Sequence, residues 1–391
     1  MSELPLITVD LRFHEGKLKV TWNDNGMDYQ QYFVDADRLQ RLGTQVRSRL
    51  APLVDLARRG QLAEVGPTLR ALAGAGHDLF EGLFLAESGT AEADIVREDL
   101  ANKQSGFRML VKVDHRIHVP WGLIYDAPPD ALGEGTAIDD YADFWSVKHL
   151  LTTVHHRVPP RPEPPDRDRF QVLPVLNKDS FDAALDAVSP DERIAIAELL
   201  GAPTRAAFSA DEFRRRWKTA TTEVGLVYFY CHADGTRLAL GVTDQINIDQ
   251  LAQMSAARVR GQRQTCLFFL NGCGTALGSA GGGFLEATVY PGFCGFIGTE
   301  AKVPDVFALR FGAAFLHEFL HGGQPIYEIM AALRRQHWPL SLLYGVYGHP
   351  LLRLPPSASF KALPPAMQRN FSHDNVGTRE MAAEIATEVR R

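Results

Sequence analysis

The sequence predicts an α/β protein built on a mostly parallel central sheet with helices on both faces. Three observations carry that expectation. The runs VGLVYFY (224–230) and TCLFFLN (265–271) are almost continuously apolar, too hydrophobic to leave one face in water. Helical patterns separate these runs from the neighbouring strand candidates, and strand–helix alternation favours parallel pairing. The 391 residues are 45% apolar and 23% charged, which excludes a collagen-like, low-complexity or largely disordered chain.

The elements follow in order. LITVDLRF (6–13) and KLKVTW (17–22) flank a hairpin turn at HEGK, with Gly16 where positive φ is needed, and YQQYFV (29–34) adds a third strand. Residues 36–86 carry helical spacing, with Leu39, Leu42, Val46 and Leu50 on one stripe and Leu69, Leu72 and Leu79 on another. FRMLVKVD (107–114) and IHVPWGLIY (117–125) read as strands, residues 127–140 as a turn-rich loop, and Phe144–Val158 as a further strand. RVPPRPEPPDRDR (157–169), with five prolines and four arginines, is a stiff, exposed linker that cannot join a core.

Beyond it, RFQVLPVL (169–176) is a strand and residues 179–200 are helical. Ser209 with Glu212 forms a capping box for the helix at DEFRRRW (211–217). NIDQLAQMSAAR (247–258) is an amphipathic helix, GFLEATVY (283–290) a short helix and GFCGFIGT (292–299) a third buried strand. Residues 304–321 and 325–337 are helical, LSLLYGVYG (340–348) is the last strand, and TREMAAEIATEVRR (378–391) is a polar helical tail. No repeat of 20–50 residues is visible, which excludes a solenoid.

Composition narrows the function. Lys plus Arg total 41 against 47 Asp plus Glu, a net charge of −6, so direct nucleic-acid binding is not expected. No apolar run of about 18 residues spans a membrane, and MSELPLITVD lacks the pattern of a signal peptide. Cys231, Cys266, Cys273 and Cys294 fit neither a disulfide framework nor paired zinc knuckles, so a reducing cytoplasm is the expected compartment.

In open parallel sheets, sites lie past the carboxyl ends of the strands. VGLVYFYC is followed by His232 and TCLFFLNG by Cys273, so both residues leave the sheet at one edge. An imidazole beside a thiol can take its proton and make the nucleophile that an unperturbed thiol mostly is not. Gly272 and Gly274 flank Cys273 and permit close approach of a substrate backbone. The expected oxyanion donors are backbone groups around Gly272, Cys273 and Ala233, the last in the turn His232–Gly235.

The strand–His and strand–Cys pair, 41 residues apart, resembles the signature of caspase-like cysteine peptidases. IHVPWGLIYD (117–126), VYFYCHADG (227–235), FFLNGCGTA (268–276), GFIGTEAKVPD (295–305) and residues 311–336 resemble the CHAT domain within that group, over about residues 1–355. The resemblance implies a caspase-like α/β/α sandwich: a degenerate half at 1–156, the linker at 157–169, an active half at 170–355 and a tail at 356–391. It implies a cysteine endopeptidase with Cys273 as nucleophile and His232 as base, needing no metal or organic cofactor. It also implies a protein substrate, a separate activating sensor, and a role in bacterial defence or regulated cell death, with gasdermins among the possible targets. LNGCGTA departs from the Gln-Ala-Cys-x-Gly of true caspases, so aspartate specificity does not carry over. By analogy with separase-like peptidases, Asp305, with Glu300 second and Asp234 also near, is expected to bind a basic side chain before the scissile bond; the alternative for Asp305 is a helix cap.

Two other readings compete. A catalytically silent scaffold of the same fold would keep the architecture without turnover. HEFLH (317–321) fits the zinc-peptidase motif H-E-x-x-H, with His317 and His321 as ligands and Glu318 as base, but the extended third ligand is missing. Arg310, His317 and His321 share one helix face and read instead as a solvated polar stripe. GCGTALGSAGGG (272–283) lacks the Lys and Ser/Thr of a phosphate loop and reads as a mobile loop beside the nucleophile.

Overall fold

A computed structural model of the chain describes residues 6–24, 28–103, 106–114, 116–128, 137–156, 170–200, 206–219, 224–259, 266–277, 283–284 and 293–355. The linker at 157–169, most of GFLEATVY, the centre of the Gly-rich loop and the tail therefore lie outside the described residues. The chain divides into two units: Met1–Leu56 with Gln61–His156, and Arg157–Arg391 with the short piece Ala57–Gly60.

In the first unit, β1 (Leu6–His14) and β2 (Lys17–Asp24) form the hairpin, and β3 (Asp28–Val34) extends it. Glu15 and Gly16 take φ of 51° and 82°, the paired positive values of a type I′ turn. Ile7, Val9 and Leu11 are buried on one face of β1, the alternation expected of a sheet covered on one side. Helices α1 (Ala36–Ser48), α2 (Leu50–Arg58), α3 (Gly66–Phe84) and α4 (Thr90–Asn102) follow, with Ala57 and Arg58 at the end of α2 grouping with the second unit. Next come β4 (Arg108–Val113), a single turn α5 (Trp145–Lys148) and β5 (Leu150–His155). The strands lie in the order β3-β2-β1-β4-β5, with β1, β4 and β5 parallel.

Two strand expectations in this unit fail. IHVPWGLIY holds a 3-10 turn at Trp121–Leu123. Pro120 lacks an N–H for a ladder, and the Tyr125 N–H donates to Gly76 O of α3 at 3.2 Å. The segment thus packs along α3 at a point where a Cβ on Gly76 would lie 2.4 Å from Leu123 O. The strand drawn from Phe144 begins only at Leu150, because Val147 and Lys148 N–H groups both bond to Phe144 O and close a helical turn.

In the second unit the order is β6 (Gln171–Leu176), α6 (Lys178–Asp186), α7 (Pro190–Leu200), α8 (Ala210–Thr219) and β7 (Val224–Tyr230). Short strands β8 (His232–Ala233), β9 (Arg237–Ala239) and β10 (Gln245–Asn247) form a separate three-stranded sheet before α9 (Ile248–Val259). Then come β11 (Cys266–Asn271), β12 (Phe293–Thr299), α10 (Asp305–His317), α11 (Ile326–Gln336) and β13 (Tyr344–Gly348). The larger sheet runs β13-β12-β11-β7-β6, parallel except for β13. The capping box opens α8: the Glu212 N–H donates to Ser209 Oγ, and the Glu212 carboxylate reaches back to the Phe208 N–H.

The two faces of this sheet bury different partners. Phe229 and Phe268 meet Phe213 and Trp217 of α8 edge to face. Phe269 meets Phe315 of α10 at 5.2 Å, and Asn271 donates to Ala308 O at 2.7 Å. Each such buried ring stabilises the fold by about 2–3 kcal/mol relative to exposure, so packing on both faces fixes the register. This register sets the site, since Tyr228, Tyr230, Phe269 and Asn271 all belong to the α10 face.

The expected polar stripe on α10 is not solvated. Arg310 forms a two-bond ion pair with Glu192 at 2.9 and 3.1 Å, and the two side chains are only 12% and 2% exposed. His317 is buried as well. The reason is a layer of α6 and α7 packed over α10, which covers the face that the sequence leaves open. The α-helix ends at His317, and Glu318–Gly322 form a π turn, so HEFLH straddles a change of helical geometry.

Candidate active site

The site begins with the pairing of β7 and β11. These strands are parallel neighbours, with Leu226 opposite Leu267 and Tyr230 opposite Asn271. Cys231 N–H still reaches Asn271 O at 3.5 Å. His232 and Cys273 each lie two residues past the last paired positions of these strands, where both chains leave the sheet at the same edge. The backbones are close here. A Cβ on Gly272 would lie 2.7 Å from Cys231 O and 3.3 Å from the Ala233 Cβ, so only glycine fits. Ala233 and Gly272, the expected oxyanion neighbours, are thereby brought together.

Past Cys273 the chain turns through Gly274, whose φ is +66°. Thr275 Oγ1 donates to Leu270 O at 2.8 Å and accepts from Thr299 N–H at 2.9 Å. Thr299 Oγ1 donates to Gly272 O, and Gly274 N–H to Ala301 O. These bonds tie the cysteine loop to the end of β12 on both sides of Cys273. Asn271 anchors it from below: its amide donates to Tyr228 Oη and Ala308 O, and it accepts from Tyr344 Oη at 2.7 Å.

Cys273 is partly exposed, whereas Cys231, Cys266 and Cys294 are buried. Burial pushes its thiol up, and the carboxylate of Asp305 adds to that; a backbone hydrogen bond from Val303 and the charges of Arg58 and Lys302 oppose it. Arg58 belongs to the short piece that groups with the second unit. His232 is exposed, pairs with Ala239 across β8 and β9, and has Nε2 2.9 Å from Ser180 Oγ. Asp305 stands between the two electrostatically. Its carboxyl is pushed up by burial, and the charges of His232 and Arg58 pull it partly back. Asp305 is not the helix cap: Pro304 occupies that position, without a capping side chain.

The other two carboxylates are placed differently. Glu300 is 4% exposed and accepts a hydrogen bond from Tyr347 Oη inside the core. Asp234 accepts from the N–H groups of Thr236 and Arg237 and from Thr236 Oγ1, so it shapes the β8–β9 turn. Among the described residues no group of three or more His, Cys, Asp or Glu side chains is placed to hold a metal ion. None of the helices described is long and apolar enough to cross a membrane.

The sequence alone did not single out Ser180, Arg58, Lys302 or Val303. Ser180 had one available signal, the Asn177 cap three residues before it at the end of a strand. The others reach the site only through the fold.

The model of the CHAT domain matches residues 90–342 of this chain, more than half its length. The chain belongs to the CHAT domain family. No curated protein matches this CHAT chain in sequence. Among solved structures it is similar to the Arg-specific cysteine proteinase gingipain R, at 13% identity and a TM-score of 0.42, over 69% of this chain and 70% of that one. A complex of the Porphyromonas gingivalis RgpB pro- and mature domains is similar at 13% identity and 0.43, over 69% and 71%. The Saccharomyces cerevisiae separase–securin complex is similar at 9% identity and 0.49, over 89% of this CHAT chain but 30% of the other chain.

Proposed function

We propose that this CHAT protein is a cysteine endopeptidase. What supports the reading is that His232 and Cys273 follow the ends of the neighbouring parallel strands β7 and β11, that Asp305 interacts electrostatically with both, and that Cys273 is the cysteine among the four that is not buried. His232 takes the proton of Cys273 as the sulfur attacks the substrate carbonyl. The tetrahedral oxyanion is held by backbone N–H groups around Cys273, Gly272 and Ala233. The leaving amine receives the proton from His232, and water then releases the acyl group by the reverse relay.

Asp305 supplies the charge that selects a Lys or Arg before the scissile bond. Glu300, enclosed by Tyr347, and Asp234, held in its own turn, support the walls rather than meet the substrate. Residues 170–355 form the catalytic half, residues 1–156 a degenerate caspase-like support, and 157–169 the tether between them. The substrate is a protein, activation comes from a separate sensor, and a role in bacterial defence or regulated cell death, in the cytoplasm, fits this arrangement. No metal or organic cofactor enters the chemistry.

The test is a peptide electrophile, an arginyl acyloxymethyl ketone, incubated with the full chain. The proposal expects one adduct, mapped to Cys273 and absent from Cys273→Ala. An adduct on another cysteine, or one that persists in Cys273→Ala, contradicts it.

A further inference from the structure

Ser180 lies outside every motif that marked the site, yet its hydroxyl is the hydrogen-bonding partner of His232, 2.9 Å from Nε2. The contact is built into the fold. Ser180 sits in the first turn of α6, where its N–H donates to the Asn177 cap at 3.1 Å. Asn177 N–H bonds to Tyr230 O at 2.7 Å, and its amide donates to Ala239 O at 3.1 Å. Tyr230 precedes His232 by two residues, and Ala239 is its partner across the ladder. Phe181, the next residue, packs edge-on against the Tyr230 ring. The turn that presents Ser180 is thus bonded to both flanks of His232, which makes the hydroxyl part of the frame that holds the ring.

We propose that Ser180 is the positioning residue of His232, fixing its ring and tautomer so that Nδ1 is the atom that receives the thiol proton. This rests on the peptidase reading above. Ser180 Oγ accepts the Nε2–H, leaving the Nδ1 lone pair open. When the thiol proton moves to Nδ1, the S–H bond breaks, an N–H bond forms, and the imidazolium keeps Nε2–H on Ser180 Oγ; the serine retains its own proton. The charged groups around this pair are Asp305 from α10, which interacts with His232, Arg58, which acts on the thiol and on Asp305, and Lys302, which acts on the thiol. Lys178 is engaged with Asp182 on the outer side of α6, and Asp234 with its own turn.

The experiment follows alkylation of Cys273 by iodoacetamide in the full-length protein between pH 5 and 9, mapped by mass spectrometry, for wild type, Ser180→Ala, Ser180→Thr and His232→Ala. At pH 7 the wild type should react faster than His232→Ala, and Ser180→Ala should lose roughly ten- to a hundredfold of that advantage, the range of a hydrogen bond to a charged group. Ser180→Thr, which keeps the hydroxyl, should restore it. Ser180→Ala and wild type alkylating alike at every pH, with His232→Ala slower, would overturn the role of Ser180 and leave the dyad standing. All four proteins reacting alike would overturn the dyad itself. Equal melting temperatures confirm that the comparison concerns the ring and not the fold.

Discussion

Asp305 is the first residue of α10, and its proposed role in selecting a basic side chain depends on that position. Burial works against its charge, and the opposing pull of His232 and Arg58 leaves the carboxyl above its ordinary range. Protonation on acidification starts at higher pH than for an exposed aspartate, so selection of basic substrates should weaken from that point downward. Asp305→Asn should remove this pH dependence and lower kcat/KM for Arg and Lys peptides by about a hundredfold, read against a neutral peptide of the same length. An unchanged ratio would refute the role of Asp305. That His232 and Cys273 leave neighbouring strands at one edge was legible in the sequence, because each follows an apolar strand. Ser180, Arg58 and Lys302 were not, because nothing local marks a side chain that reaches a site through a crossover. Glu300 ranked second to Asp305 in the sequence; its enclosure by Tyr347 depends on β13, which only the fold brings beside it.

At the scale of elements, α10 is the beam under the site, and two polar contacts hold it. Glu192 is depressed below the usual carboxylate range: burial opposes its charge, but the two Arg310 bonds and those from Ser189 outweigh that penalty. A depressed carboxylate stabilises the fold above its unfolded pKa, and that stabilisation is lost as pH falls through the folded value. Glu192→Gln should therefore cost about 3 kcal/mol at neutral pH, where it leaves the largely buried Arg310 against a neutral amide, and should flatten the acid limb of a denaturation profile. Asn271→Leu should cost about 2 kcal/mol by stranding the Tyr228 and Tyr344 hydroxyls, and should slow alkylation of Cys273 two residues on. The strand pattern of β7 and β11 was plain from apolar runs, but the polar stripe on α10 was misjudged as solvated. An amphipathic pattern says which residues differ from one another, not whether a second layer, here α6 and α7, covers the polar side. The 3-10 turn at Trp121–Leu123 escaped for a related reason: a short apolar run reads as a strand until its backbone partner, Gly76, is known.

For the whole molecule, the division after His156 coincides with the Pro- and Arg-rich segment that composition alone set apart. If that segment is a passive tether, the active protein should keep the intact mass of the full chain; two fragments with new ends within 157–169 would show that cleavage accompanies activation. Parallel strands and connecting helices bring residues from different parts of the chain, His232 and Cys273, to the carboxyl ends of neighbouring strands, where the α/β plan puts its sites. The most direct test of the central claim is cleavage of a peptide library by the full-length protein, wild type beside Cys273→Ala, with products sequenced by mass spectrometry. The account predicts cuts after Arg and Lys by the wild type alone. Identical products from the two proteins, or wild-type cuts after residues other than Arg and Lys, would contradict it.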